Sequence, residues 1–135
     1  MAKPTKRYIA CCLVFATAVS QSAIAQSVEK TLQDMAAQVS KNLPMMVNAQ
    51  VQATAVAAAG KTIMYKYNVL ITAADINKSR LKNEHYENAV NGMCSSPGIA
   101  NLFKQGAVVT YQFYDSRNSF LFEFSLSHSD CRVSR

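Results

Sequence analysis

The sequence predicts an α+β protein: one four-stranded antiparallel sheet, made of two hairpins, packed against an N-terminal helix and one or two further helices in the order α-β-β-α-α-β-β. Three observations predict it. Apolar residues recur at helical spacing from Val28 to Leu43. A pair of alternating stretches follows between Val47 and Thr72, and a second pair lies between Ala107 and Leu126. The intervening segment, Asp75 to Gly106, is polar and helix-like, with no linker or low-complexity run.

In the first helix, Val28, Leu32, Met35, Ala36, Val39 and Leu43 share one face, and Lys30, Gln33, Asp34 and Lys41 share the other. Ser27 is placed to cap it, Glu29 suits the positive end of its dipole, and Pro44 stops it. The first strand should begin at Val47. It then buries its odd positions (Val47, Ala49, Val51, Ala53, Ala55, Ala57) and wets Asn48, Gln50, Gln52 and Thr54. Gly60-Lys61 reads as the turn to a strand over 62–72, with Ile63, Tyr65, Tyr67, Val69 and Ile71 on one side. Asp75 is expected to cap a polar helix that runs to Asn91 and stops at Gly92. Ser96-Pro97 opens a short helix carrying Ile99, Leu102 and Phe103. The second hairpin has Asp115-Ser116-Arg117-Asn118 as its turn, and Phe120, Phe122, Phe124 and Leu126 as the apolar face of its last strand.

The N-terminus carries an export signature. Lys3, Lys6 and Arg7 precede an apolar run from Tyr8 to Val19, which leads to Ala23-Ile24-Ala25, the small-x-small pattern a signal peptidase accepts. The expected cut lies between Ala25 and Gln26, giving a signal peptide over 1–25 and a single α+β domain over 26–135. The run has about 12 strongly apolar residues where a spanning helix needs about 20, so no stable membrane insertion is expected after cleavage. Cys11 and Cys12 lie too near the start of the run to be the acylated residue of a lipoprotein.

Cleavage changes the composition. The whole chain has 14 Lys+Arg against 8 Asp+Glu, a net charge of +6; three bases and no acids lie in 1–25, which leaves 11 against 8. The remaining bases are scattered, so no nucleic-acid partner is expected. Only Cys94 and Cys131 remain, and in an oxidising compartment they are expected to pair. Such a bridge closes a loop of about 38 residues and would stabilise by about 3–4 kcal/mol on the chain-entropy account.

Four constellations could carry chemistry, and each has a plainer reading. Cys94 with His85 and Asp115 has the residue types of a thiol triad, but a paired exported cysteine is better read as bridged. His128, Asp130 and Cys131, with His85, offer zinc-ligand types without a compact spacing. Ser95-Ser96-Pro97-Gly98 could cradle an anion, and reads more simply as a capped turn. Tyr65, Tyr67 and Tyr111, with Lys66 and Arg117, could form an aromatic and basic platform for peptide, glycan or a single strand. Tyr65 and Tyr67 share the apolar face of their strand, which assigns them to the core. Met45-Met46, just after Pro44, is the candidate partner surface, because methionine makes adaptable apolar contacts. No catalytic residue, metal or cofactor is assigned.

The run Asn42-Leu43-Pro44-Met45-Met46-Val47 after a helix, then Tyr65-Lys66-Tyr67, then Cys94 and Cys131, resembles small secreted α+β proteins of Gram-negative bacteria, including pilotin-like accessory proteins of secretion systems. Lipidated pilotins carry a cysteine at the mature N-terminus; here Gln26 stands there, so outer-membrane anchoring is not implied. The resemblance implies no catalytic residues. The expected function is that of a periplasmic or secreted, non-enzymatic interaction factor, accessory or chaperone-like, whose partner is another protein of the cell envelope or a secreted target. An inhibitor or immunity protein against a toxin or lytic enzyme, and a small-ligand binder, are the alternatives.

Overall fold

The computed structural model describes residues 27–133; the predicted cleavage site at Ala25 and Gln26, and the signal segment before it, lie outside the described residues. The first helix, α1, spans Val28–Ser40. The Ser27 hydroxyl accepts from the Lys30 amide at 3.2 Å, and Val28, Leu32 and Ala36 are buried. Lys30 pairs with Asp34 at 2.6 Å on the wet face, an exposed pairing that adds only a few tenths of a kcal/mol.

The sheet has five strands, one more than expected. They are β1 (Met45–Met46), β2 (Val51–Ala59), β3 (Thr62–Val69), β4 (Val108–Tyr114) and β5 (Phe120–Leu126), side by side in that order. The extra strand arises because residues 47–50 fold back instead of extending. The Asn48 carboxamide accepts from the Gln50 and Val51 amides at 2.8 and 3.0 Å, a local turn that competes with strand geometry. Met45 and Met46 are thereby laid against Ala53 and Gln52.

The sheet is also mixed, not antiparallel throughout: β1-β2, β2-β3 and β4-β5 pair antiparallel, while β3 and β4 pair parallel. Both predicted hairpins form, with Gly60 at φ 55° and Asn118 at φ 63° in their turns. Between them the chain makes one 3₁₀ turn (Ala73–Asp75), then α2 (Lys78–Cys94) and α3 (Pro97–Lys104). A helical crossover returns the chain to the end where β3 began, so β4 must run alongside it. Lys61 helps fix that return: its ammonium donates to the Gln105 carbonyl at the end of α3 at 3.2 Å.

Two register shifts move residues between faces. A bulge between Ala53 and Ala55 flips the parity of β2. Val51 and Ala53 face the core, but Ala55 and Ala57 do not; Val56 and Ala58 take their place. A second shift between Phe113 and Tyr114 sets Phe120 opposite Tyr114. Phe120 is consequently 54% exposed, whereas Phe122, Phe124 and Leu126 are buried as expected.

The helical segment departs from expectation at both ends of α2. Asn77, not Asp75, caps it, accepting from the Arg80 amide at 3.0 Å; Asp75 instead accepts from the Thr72 hydroxyl. The helix passes through Gly92 and ends at Cys94. Cys94 is bonded to Cys131, 37 residues away, with Cα atoms 5.3 Å apart. Cys131 lies on α4 (His128–Val133), an element not expected from the sequence. Its start is held reciprocally: the Ser127 amide donates to Asp130 at 2.8 Å, and the Asp130 amide to the Ser127 carbonyl at 3.1 Å.

Asp130 also accepts from the Tyr86 hydroxyl at 2.5 Å, tying α4 to α2. Burial alone would raise this carboxyl, but the bonds from Tyr86 and Ser127 favour its anion and leave it below the ordinary aspartate value of 3.8. A depressed folded pKa contributes stability above the unfolded value and loses it as pH falls through the folded one. The melting temperature of Asp130→Asn should therefore lie below wild type at pH 5–7. The gap should narrow below about pH 4; a gap that is constant from pH 6 to pH 2.5 would refute this role.

Candidate functional site

The inner face of the sheet is an aromatic floor. Register aligns Tyr65 with Tyr111 and Phe124, and Tyr67 with Phe113 and Phe122. Tyr65 stacks on Tyr111 at 5.5 Å between centroids, Tyr67 meets Phe113 edge-on at 5.1 Å, and Phe113 stacks on Phe122 at 4.6 Å. Offset and edge-on contacts of this kind add to what burial alone provides. The tyrosines do not form the aromatic and basic platform that their sequence neighbours allow. Lys66 projects from the opposite face, its ammonium 4.4 Å from the Tyr114 ring.

The floor is largely roofed: Tyr111, Phe113, Phe122 and Phe124 are buried. α1 rests on β2 and β3, and α2 on β5. A cavity of about 190 Å³ opens between Val47 on one side and His85 and Ala89 of α2 on the other, floored by Tyr67, Tyr111 and Phe113. Tyr65 and Tyr67 remain half-buried where full burial was expected. Burial pushes the Tyr67 phenol up to about 12, with Tyr65 adding to the shift, and raises Tyr111 in the same way. Burial lowers His85, only partly opposed by Glu84, and its ring lies 4.8 Å from that of Phe113. The groove is thus aromatic and lightly polar, with no Asp, Glu, Lys or Arg in its lining, and is suited to apolar side chains.

Val47, which walls this groove, belongs to a set of exposed apolar residues around the 47–50 turn. Met45, Met46, Val47 and Leu70 are each 45–50% exposed. The turn gathers them: the Val47 amide donates to Val51 O, and the Leu70 amide to Gln50 O, both at 2.8 Å. Met45-Met46 was visible in the sequence. Val47 was not, because its position reads as the buried face of a strand, and Leu70 was not, because it alternates with Val69 and Ile71 and so falls on the other side of its strand.

The other constellations come apart. Cys94 is bridged, His85 packs its ring at a tilt against Phe113, and Asp115 is spent in the hairpin turn, accepting from the Arg117 and Ser119 amides at 2.9 and 2.8 Å. Among the described residues no three His, Cys, Asp or Glu side chains are grouped to hold a metal ion. Ser96 caps α3 without a side-chain bond, and a Cβ at Gly98 would meet nothing within 4 Å, so no tight anion loop forms there. No described helix is long and apolar enough to cross a membrane.

The sequence model of the family described as "Putative quorum-sensing-regulated virulence factor" matches residues 21–132. No curated protein matches the chain by sequence. Among solved structures, a "putative secreted protein" from Pseudomonas aeruginosa superposes with a TM-score of 0.67 at 21% identity, covering 78% of this chain and 93% of that one. The pilotin EpsS of the Vibrio vulnificus type 2 secretion system gives 0.66 at 13% identity, over 77% and 91%. The type II secretion pilotin AspS of Vibrio cholerae gives 0.60 at 18%, over 82% and 99%. At these identities the likeness is one of fold.

Proposed function

Since the chain belongs to this quorum-sensing-regulated virulence factor family, we propose that it is an exported, non-enzymatic accessory factor whose mature form, residues 26–135, holds an apolar segment of another envelope protein. The observation that carries the reading is the narrow aromatic hollow walled by Val47, together with the exposed Met45, Met46, Val47 and Leu70 around the same turn. Exposed apolar residues scattered singly need no explanation, but a gathered strip beside an aromatic hollow marks an interaction surface. The fold shared with two type II secretion pilotins supports a place in envelope traffic. A small-ligand reading of this groove is less well supported, because about 190 Å³ is below the ~300–1,000 Å³ usual for ligand pockets.

The test is site-specific photo-cross-linking in intact cells. A photoreactive residue at Val47 should capture one dominant envelope protein, and the same probe at Lys82 should not. The recovered chain should begin at Gln26. With the probe kept at Val47, Met45→Asp with Met46→Asp should abolish the adduct with little change in melting temperature, since both side chains are about half exposed. Equal capture from both positions, or none from Val47, rejects the reading.

A further inference from the structure

We propose that a second cavity, beside the disulfide, binds a phosphate-type anion. This cavity, of about 370 Å³, lies where the end of α2 meets α3 and α4 and shares no lining residue with the aromatic groove. Asn91 enters it from α2, Lys104 from α3, and His128 and Arg132 from α4. His128 and Arg132 are four residues apart, so they share one face of their helix. No Asp or Glu lines the cavity. The nearby Asp130 is turned aside, taken up by the Tyr86 hydroxyl and the Ser127 amide. Among the described residues neither Lys104 nor Arg132 is in an ion pair.

Two cations held in one hollow without a counter-charge focus a positive potential there. The set has the chemistry of an oxyanion site. Arg132 offers a planar fork, Lys104 a point charge, and Asn91 and His128 further N–H donors. A tetrahedral oxyanion has enough acceptor oxygens for all four, whereas a single carboxylate would leave donors unused. The disulfide is the hinge pin of the arrangement: Cys131 precedes Arg132, and its bond to Cys94 keeps α4 facing α2. The phosphate could be free in solution or belong to a lipid headgroup.

Pyrophosphate titrated into the isotope-labelled, oxidised mature protein at low salt should shift the amides of Asn91, Lys104 and Arg132 saturably. The double variant Lys104→Gln, Arg132→Gln should weaken binding by at least about tenfold, the loss expected of two charge-assisted contacts. Lys78→Gln, on the same protein but away from the cavity, should change nothing. Vesicle sedimentation separates the sources. Cosedimentation with phosphatidylglycerol but not phosphatidylcholine vesicles, lost in the double variant, assigns the headgroup; pyrophosphate binding without cosedimentation assigns a soluble phosphate. No saturable shift, or equal affinity in the double variant, overturns the site. The Val47 adduct is expected to survive Lys104→Gln, Arg132→Gln, so either proposal can fail alone.

Discussion

Truncating Phe113 to alanine should lower stability by about 3–5 kcal/mol, the range for removing a fully buried aromatic ring. Phe113 is 0% exposed. Its ring touches four others, on Tyr67, His85, Phe122 and Phe124, at centroid distances of 4.6 to 6.0 Å. Two features push the cost toward the upper end. The neighbours are held by strand pairing on both sides, β3 and β5, so they cannot collapse into the space. Stacked and edge-on partners also lose contact geometry that an aliphatic neighbour would not supply. Phe113→Leu keeps much of the volume and should cost clearly less. Urea denaturation decides: the midpoint should fall with little change in slope. A loss under about 1 kcal/mol for the alanine variant would mean that the floor is loosely packed, and the groove above it would lose its rigid base.

Local chemistry made several elements legible in the sequence. Ser27 and the 3.6-residue period together specified α1, because capping and burial agree there, although the helix ends at Ser40 and leaves Leu43 outside it, ahead of Pro44. Gly60-Lys61 and Asp115–Asn118 specified both hairpins, because their positions need turn geometry that few residues supply. The β2 bulge was hidden by composition. Alanine at 53, 55, 57, 58 and 59 fits a wet or a dry position almost equally, so only Val56, at the wrong parity, hinted at a slip. Gly92 misled as a stop signal. It lies in an exposed helix turn where a Cβ would meet nothing, so its cost is only that of glycine in a helix, about 1 kcal/mol. The parallel pairing of β3 and β4 depends on how a crossover packs, which no local pattern records.

The site was less legible than the fold. Met45 and Met46 stood out by type, and they do lie exposed at the sheet edge. The groove above Tyr67 and Phe113 depends on where the turn at Val47 and α2 lie relative to each other, a tertiary fact. The anion pocket draws on positions 91, 104, 128 and 132, spread along the chain and joined only by the fold of α2, α3 and α4. One cue was present: Arg132 follows a cysteine whose partner, Cys94, lies three residues from Asn91. A disulfide is a long-range contact that can be read from sequence, and the residues flanking its two ends are the first to examine for a shared site.

That bridge should carry the other large effect. Removing it, by reductant or by Cys94→Ser with Cys131→Ser, should cost about 2–5 kcal/mol. For a domain of this size the melting temperature should fall by on the order of 10 °C or more. The loop entropy of a 37-residue separation accounts for part of this. The rest follows from α4, whose six residues are too few to persist alone. Without the bridge, α4 is held by its Tyr86–Asp130 bond and the cap at Ser127, both partly open to water. It should open locally before the sheet does, seen as faster amide exchange over 128–133 than over β4. Reduced wild type and the double serine variant should melt together, and reductant should leave the variant unmoved. If oxidised and reduced wild type melt at the same temperature, α4 docks by its own contacts and the anion pocket does not need the disulfide. If the reduced protein stays folded but no longer binds pyrophosphate, the bridge serves chiefly to hold Arg132 opposite Lys104.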